Sequence, residues 1–250
     1  VKEFENVIHN IWESRERFYK AGVICALIII AIYLADLVVV LIYGPIINKT
    51  IPELFDLFQQ NRIITLLRAF SLDIAAAIIR IPFMAALFIA LLKTCKSFIL
   101  LLISALIGLI GICVYLSYNS VFSMLHLSDL YSQATDAVQK QQLITVGYTY
   151  MASFDASGIQ AFFSFTLFGI WGILVSLVMY KSSDFGKSIA VIGIAGFVLE
   201  QGPPAGLYPS WWRDADPFLI GTGGVLLMIW YLFTALKLLK LSKITLGQFS

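Results

Sequence analysis

Histidine is almost missing from this chain: His9 and His126 are the only two, and they fall on segments assigned below to opposite sides of a membrane. That argues against a histidine metal site and against a haem held by two histidines. Cysteine is sparse as well. Cys25, Cys95 and Cys113 share no CxxC-type spacing, and an odd number fits no disulfide framework, which leaves apolar packing as their role. There is no HExxH, no GxSxG, no rhomboid-like Gly-Ser with a distant histidine and no aspartate pair at metal spacing. The sequence therefore offers no catalytic residue, no metal site and no cofactor site. An intramembrane enzyme is the least supported of the classes weighed, because nothing supplies a nucleophile or a metal.

Charge is also scarce. Charged residues make up 13% of the 250, against roughly 25% in an ordinary soluble domain. The net charge of +2 is small and the basic residues are dispersed, which excludes nucleic acid as a partner. No internal repeat is found, so the inverted-repeat signature of many secondary transporters is absent.

What the chain has instead is apolar sequence, 60% of it, gathered into long runs. A helix needs about 20 predominantly apolar residues to cross a bilayer. Six runs qualify: 21–43, 66–92, 97–123, 158–180, 187–203 and 217–239. The fifth is the shortest, and Pro203 and Pro204 fix its end. With the N-terminus cytoplasmic, one side collects Lys2, Arg15, Arg17, Lys20, Lys93, Lys96, Lys181, Lys187, Lys237, Lys240 and Lys243. The other keeps Lys49, Arg62, Arg68, Lys140 and Arg213. The positive-inside rule then predicts an all-α bundle of six spans with both termini inside.

Residues 1–20 place Phe4, Val7, Ile8, Ile11 and Phe18 at helical spacing among Glu and Arg. The pattern predicts an amphipathic interfacial helix ahead of a transmembrane domain over 21–250. Residues 124–156 are too polar to span but keep a helical rhythm, which predicts one or two helices lying as a lid over the outer mouth of the bundle. In the loop 201–217, Tyr208, Trp211 and Trp212 read as interfacial anchors. Glycine pairs at Gly108/Gly111, Gly169/Gly172 and Gly193/Gly196 predict close helix approach.

Against this background the stretch 71–83, "SLDIAAAIIRIPF", is out of place, since a charged side chain at mid-bilayer costs about 2.5–3.5 kcal/mol on insertion scales. Asp73 and Arg80 are seven residues apart, which puts them on one helix face with Arg80 reaching back toward Asp73. Asp36 on the first span comes out at nearly the same depth as Asp73, about 10 Å below the outer surface. Tyr115, Tyr118, Asn119, Asp155 and Glu200 head for the same outer half, while the inner half offers few polar residues. Asp36, Asp73, Arg80, Asn119 and Glu200 are therefore a ligand-binding cluster or a structural ion cluster that locks helices together.

Residues 120–196 carry a further pattern. Leu127, Ser128 and Tyr131 form a Leu-Ser-x-x-Tyr segment after the third span, a run ends at Gly147, and the fourth span closes with Met179 and Ser182. In these residues the chain resembles a broad family of uncharacterised six-span membrane proteins of bacteria and archaea, grouped as a domain of unknown function. The resemblance implies a prokaryotic cytoplasmic membrane and carries no catalytic residues over. The leading expectation is a non-enzymatic integral membrane protein acting as an accessory or scaffold subunit, packed against membrane lipids and partner subunits. Its rival is a transporter or small-ligand binder that uses the outer-half charges.

Overall fold

In hydrocarbon every backbone N–H and C=O must find its partner within the segment, and helix does this for any apolar run. The computed structural model describes residues 2–44, 49–68, 72–92, 94, 98–154, 159–200 and 210–246. These fold as ten helices: α1 (Lys2–Tyr43), α2 (Ile51–Gln60), α3 (Arg62–Leu66), α4 (Leu72–Leu92), α5 (Phe98–Tyr118), α6 (Val121–Gln133), α7 (Ala137–Phe154), α8 (Ile159–Lys181), α9 (Lys187–Glu200) and α10 (Ser210–Leu246). Among the described residues there is no strand.

Six of the helices close a ring in chain order, α1–α4–α5–α8–α9–α10 and back to α1. Each neighbour runs antiparallel to the last. Gly22 faces Ala86 while Tyr33 meets Arg80, which fixes the direction of α4 against α1. Gly193 faces Trp230, Gly196 faces Leu227 and Gly223 faces Glu200, which does the same for α10 against α9. Leu238 returns to Gly22 and closes the circle. Glycine permits these approaches: a Cβ on Gly172 would lie 2.3 Å from the Phe197 ring, and one on Gly108 would lie 2.7 Å from Trp171.

Five segments are long and apolar enough to cross a membrane: Arg15–Tyr43, Leu72–Leu92, Phe98–Gln133, Gln160–Lys181 and Phe218–Lys243. Outward-facing side chains such as Ile24, Leu41, Ile42, Ile99, Phe163 and Val191 are more than 45% exposed, a density of apolar surface that water would not tolerate. This is an integral membrane protein. The expected fifth span is the helix that misses the length: α9 has 14 residues, about 21 Å of helix against a core of about 30 Å.

Other boundaries differ from expectation for identifiable reasons. The interfacial helix expected over 1–20 is not set apart from the first span, because α1 runs unbroken from Lys2 to Tyr43. Span two begins at Leu72, six residues late, since α2 and α3 occupy 51–66. Thr50 N–H bonds Glu53 Oε2 at 2.8 Å, and Pro52 sits in the first turn, so α2 starts where its capping residues place it. Span three stops at Tyr118. Asn119 Oδ1 accepts from Val121 N–H at 3.3 Å and starts a separate helix, α6.

The four short helices α2, α3, α6 and α7 belong to the connections at one end of the ring, where α1 ends and α4 begins and where α5 ends and α8 begins. They have a core of their own, built from Ile51, Leu54, Phe55, Phe58, Met124 and Leu127. Gln59 Nε2 donates to Ser128 Oγ at 2.9 Å and to Asp129 Oδ1 at 3.1 Å, and Ser128 Oγ donates to Phe55 O at 2.9 Å. Arg62 pairs with the Asp129 carboxylate. Tyr131 stacks on Phe55 with centroids 5.2 Å apart, and Gly147 abuts Ile51. Arg68 ties this layer to the ring, donating to the Gly44 carbonyl from Nε at 3.2 Å and from Nη2 at 2.9 Å.

Candidate functional site

Each residue on the inner face of the ring is placed by its helix, and at the layered end those faces are polar. Arg80 projects from α4 just before Pro82, a residue without an amide hydrogen that frees a carbonyl in the turn above. Its Nη2 donates to the Tyr33 hydroxyl on α1. The guanidinium carbon lies 4.5 Å from the Phe168 ring centre on α8 and 5.6 Å from that of Tyr33. Arg80 is thus held by α1 beside it and by α8 across the ring, through stacking and one hydrogen bond, an arrangement that suits a planar delocalised cation. Its Nε is buried and has no hydrogen-bond partner among the described residues.

Among the described residues, carboxylates on other turns and helices act on this cation without an ion-pair contact. The charges of Glu200 from α9 and Asp73 from the first turn of α4 act on the guanidinium, beside the hydroxyls of Tyr33 and Tyr231. Asp36 on α1 acts in turn on Asp73. Asn119 joins through α5, where its Nδ2 donates to the Tyr115 hydroxyl at 3.0 Å and Tyr115 feels the charge of Asp73. Tyr115 and Tyr118 pack edge to face at 5.6 Å. All six ring helices contribute a side chain at this level, with Glu200 and Asp73 acting on the arginine and Asp36 acting on Asp73.

Beneath the charges, further from the layered end, the ring is filled by aromatic rings. Phe83, Trp171, Phe197 and Trp230 are at most 2% exposed. They meet edge to face, with centroids 5.3 Å apart for Phe197–Trp230, 5.7 Å for Trp171–Phe197, 5.9 Å for Phe83–Trp230 and 6.3 Å for Trp171–Trp230. Each such pair contributes about 0.5–1.5 kcal/mol beyond area burial. This layer is a rigid floor under the polar cluster.

Of the expected cluster, Asp73 and Glu200 act electrostatically on Arg80, Asp36 acts on Asp73, and Asn119 is linked through its hydrogen bond to Tyr115. Sequence reasoning missed Tyr33, Phe168 and Tyr231, because an aromatic residue inside an apolar span reads as packing until its neighbours are known. Tyr208 and Asp155 lie outside the described residues, and the other expected anchors, Trp211 and Trp212, fall in the first turn of α10. Among the described residues no three His, Cys, Asp or Glu side chains come together in a way that could hold a metal ion. No known protein family, curated protein or solved structure matches the chain.

Proposed function

We propose that this is a six-span membrane protein that binds a small cationic solute in the ring, at the outer-half charge cluster, as a transporter or receptor does. One observation carries the reading: the carboxylates of Glu200 and Asp73 both act on the cation Arg80, and Asp36 acts in turn on Asp73. In a medium of low dielectric an uncompensated carboxylate is expensive, and a bound cation removes that excess. The tyrosines and Phe168 add π faces, which favour an ammonium group over a bare metal ion.

The six-span reading adds α9 to the five longer helices. It is supported by the pairing of α9 along its length with α8 and α10, and by the way basic residues follow helix direction. Arg15, Arg17, Lys20, Lys181, Lys187, Lys237, Lys240 and Lys243 belong to the end away from the layer, and by the positive-inside rule this supports reading that end as cytoplasmic. The layered end then faces outward, and α6 and α7 act as a lid over the cluster. The resemblance over residues 120–196 implies the same span count and a prokaryotic cytoplasmic membrane.

The accessory-subunit reading rests on the apolar outer faces of α1 and α5, and lipid accounts for those faces equally well. Native mass spectrometry of the protein gently extracted from its own membrane separates the two. A lone chain carrying a reproducible small mass that is lost in Asp73→Asn supports the ligand site. A stoichiometric partner protein with no such mass overturns it and makes the charges structural.

A further inference from the structure

At the end of the ring away from the layer, basic side chains collect where the first and last helices meet. α1 and α10 are neighbours, and two contacts fix their antiparallel register: a Cβ on Gly22 would lie 3.0 Å from Leu238 Cδ1, and the Tyr33 and Tyr231 rings have centroids 6.4 Å apart. Counted from Gly22 and Leu238 toward the basic end, Lys20 on α1 stands level with Lys240 on α10. About 4.5 Å further along each axis, Arg17 stands level with Lys243. All four are exposed, whereas Tyr19 on α1 and Leu238 and Ser242 on α10 are buried. The four cations therefore lie on the outside of the ring, along the seam between α1 and α10.

Little acid offsets them. Glu16 pairs with Lys20 at 2.5 Å, but no Asp or Glu lies between Glu16 and Asp36 on α1, or after Asp216 on α10. Lys181 and Lys187, at the same end on α8 and α9, are placed differently: Asp184 lies between them in the chain, and Lys187 Nζ is 5.5 Å from the Tyr180 ring centre. Next to the seam charges, toward mid-membrane, the same outer faces turn apolar. Ile24 and Leu27 on α1 and Leu232 and Leu236 on α10 are 41–57% exposed. The positive-inside rule asks for basic residues near the end of a span, and it does not ask that four of them share one outer seam above an apolar stripe. That combination matches a lipid, whose phosphate meets cations while its chains meet leucine.

We propose that the α1–α10 seam binds an anionic phospholipid, with its phosphate held among Arg17, Lys20, Lys240 and Lys243 and its acyl chains along Leu27, Leu232 and Leu236. The Arg17 guanidinium offers a planar fork to two phosphate oxygens, and the lysines act as point charges. Their stems lie on the apolar surface while the charged ends reach the headgroup level. A choline headgroup carries its own cation beside the phosphate and gains less from the site, so the seam selects lipids by net charge. Because it joins the helices that begin and end the ring, a lipid bound there clasps the two ends of the bundle. This inference concerns the outer surface and does not depend on the cation site inside the ring.

Native mass spectrometry of the full chain in detergent, titrated with phosphatidylglycerol or with phosphatidylcholine of the same acyl chains, tests it. Phosphatidylglycerol is expected to occupy a site at several-fold lower concentration than phosphatidylcholine. Lys20→Gln/Lys240→Gln/Lys243→Gln should lose that preference, and Lys20→Arg/Lys240→Arg/Lys243→Arg should keep it. Lys181→Gln/Lys187→Gln, which removes charge from the same end but not from this seam, should keep it too. Equal occupancy by the two lipids in the parent would overturn the site, and that comparison needs no variant to fold. So would a preference unchanged in the glutamine seam variant, or lost as fully in Lys181→Gln/Lys187→Gln. Asp73→Asn is expected to leave the lipid adduct in place while removing the small cationic mass, so the two readings fail separately.

Discussion

Arg80 shows how one residue can be tolerated where its charge is costly. The apolar wall takes the flat face of the guanidinium against Phe168, the Tyr33 hydroxyl accepts one of its hydrogens, and Glu200 and Asp73 supply opposite charge. Removing the cation while leaving the carboxylates is therefore worse than removing all three, since breaking a buried set strands uncompensated charge at about 3–5 kcal/mol. Arg80→Leu is expected to lose stability on that scale in reversible unfolding in mixed micelles. The combination Arg80→Leu/Asp73→Asn/Glu200→Gln should recover much of the loss. An Arg80→Leu variant within about 1 kcal/mol of the parent would mean that the cluster is open to water and not buried in the ring. Asp73 and Arg80 could be picked out of the sequence because charge stands out against hydrocarbon. Tyr33, Phe168 and Tyr231 could not, because being brought together by three separate helices leaves no trace in any one of them.

At the scale of elements, the small layer of α2, α3, α6 and α7 is held by polar contacts that respond to pH. Gln59 and Arg62 both bond the Asp129 carboxylate, and those hydrogen bonds hold its pKa below the ordinary value. Glu53 is lowered likewise by the Thr50 backbone N–H. A carboxylate lowered in the folded state contributes stability that is full above its unfolded pKa, about 3.9 for Asp, and is lost as the pH falls through the folded value. The packing of α2 against α6 should accordingly hold at neutral pH and loosen in acid below about pH 4, whereas in Asp129→Asn it should be weaker at neutral pH and lack the Asp129 share of that acid dependence. The pair is exposed, so the effect is under about 1 kcal/mol and is best read as local hydrogen exchange in α2. Protection of α2 that ignores both pH and the substitution would count against the network. The start of this layer was legible: Thr50, Pro52 and Glu53 carry the start signals of a helix on which Ile51, Leu54, Phe55 and Phe58 recur at helical spacing. It was passed over because the amphipathic stretch borders a long apolar run, whose length alone set the expected span at 66 and not 72. The break at Asn119, whose Oδ1 accepts from Val121 N–H, is a local turn inside apolar sequence, which hydropathy averages away.

Taken whole, the molecule turns on α9. Length and hydropathy give five crossing helices, and with five the start of α1 and the end of α10 would lie on opposite sides of the membrane. The ring gives a different parity, because α9 runs antiparallel to both α8 and α10 and returns α10 to the end where α1 starts. A 21 Å helix can serve as a crossing element when it is enclosed by longer neighbours, since mismatch at its ends is met by local thinning or by adjoining chain. Single cysteines in a background with Cys25, Cys95 and Cys113 replaced by serine distinguish the two parities. Gln141→Cys on α7 should react with a membrane-impermeant maleimide added outside intact cells. Lys187→Cys and Lys240→Cys, at the start of α9 and near the end of α10, should react only after permeabilisation. Lys240→Cys labelled from outside together with Gln141→Cys would leave five crossings, with α9 lying short of the far surface. Glu200 would then lose its position beside Arg80 as a structural necessity, and the carboxylate excess that favours a cation would shrink to the two aspartates.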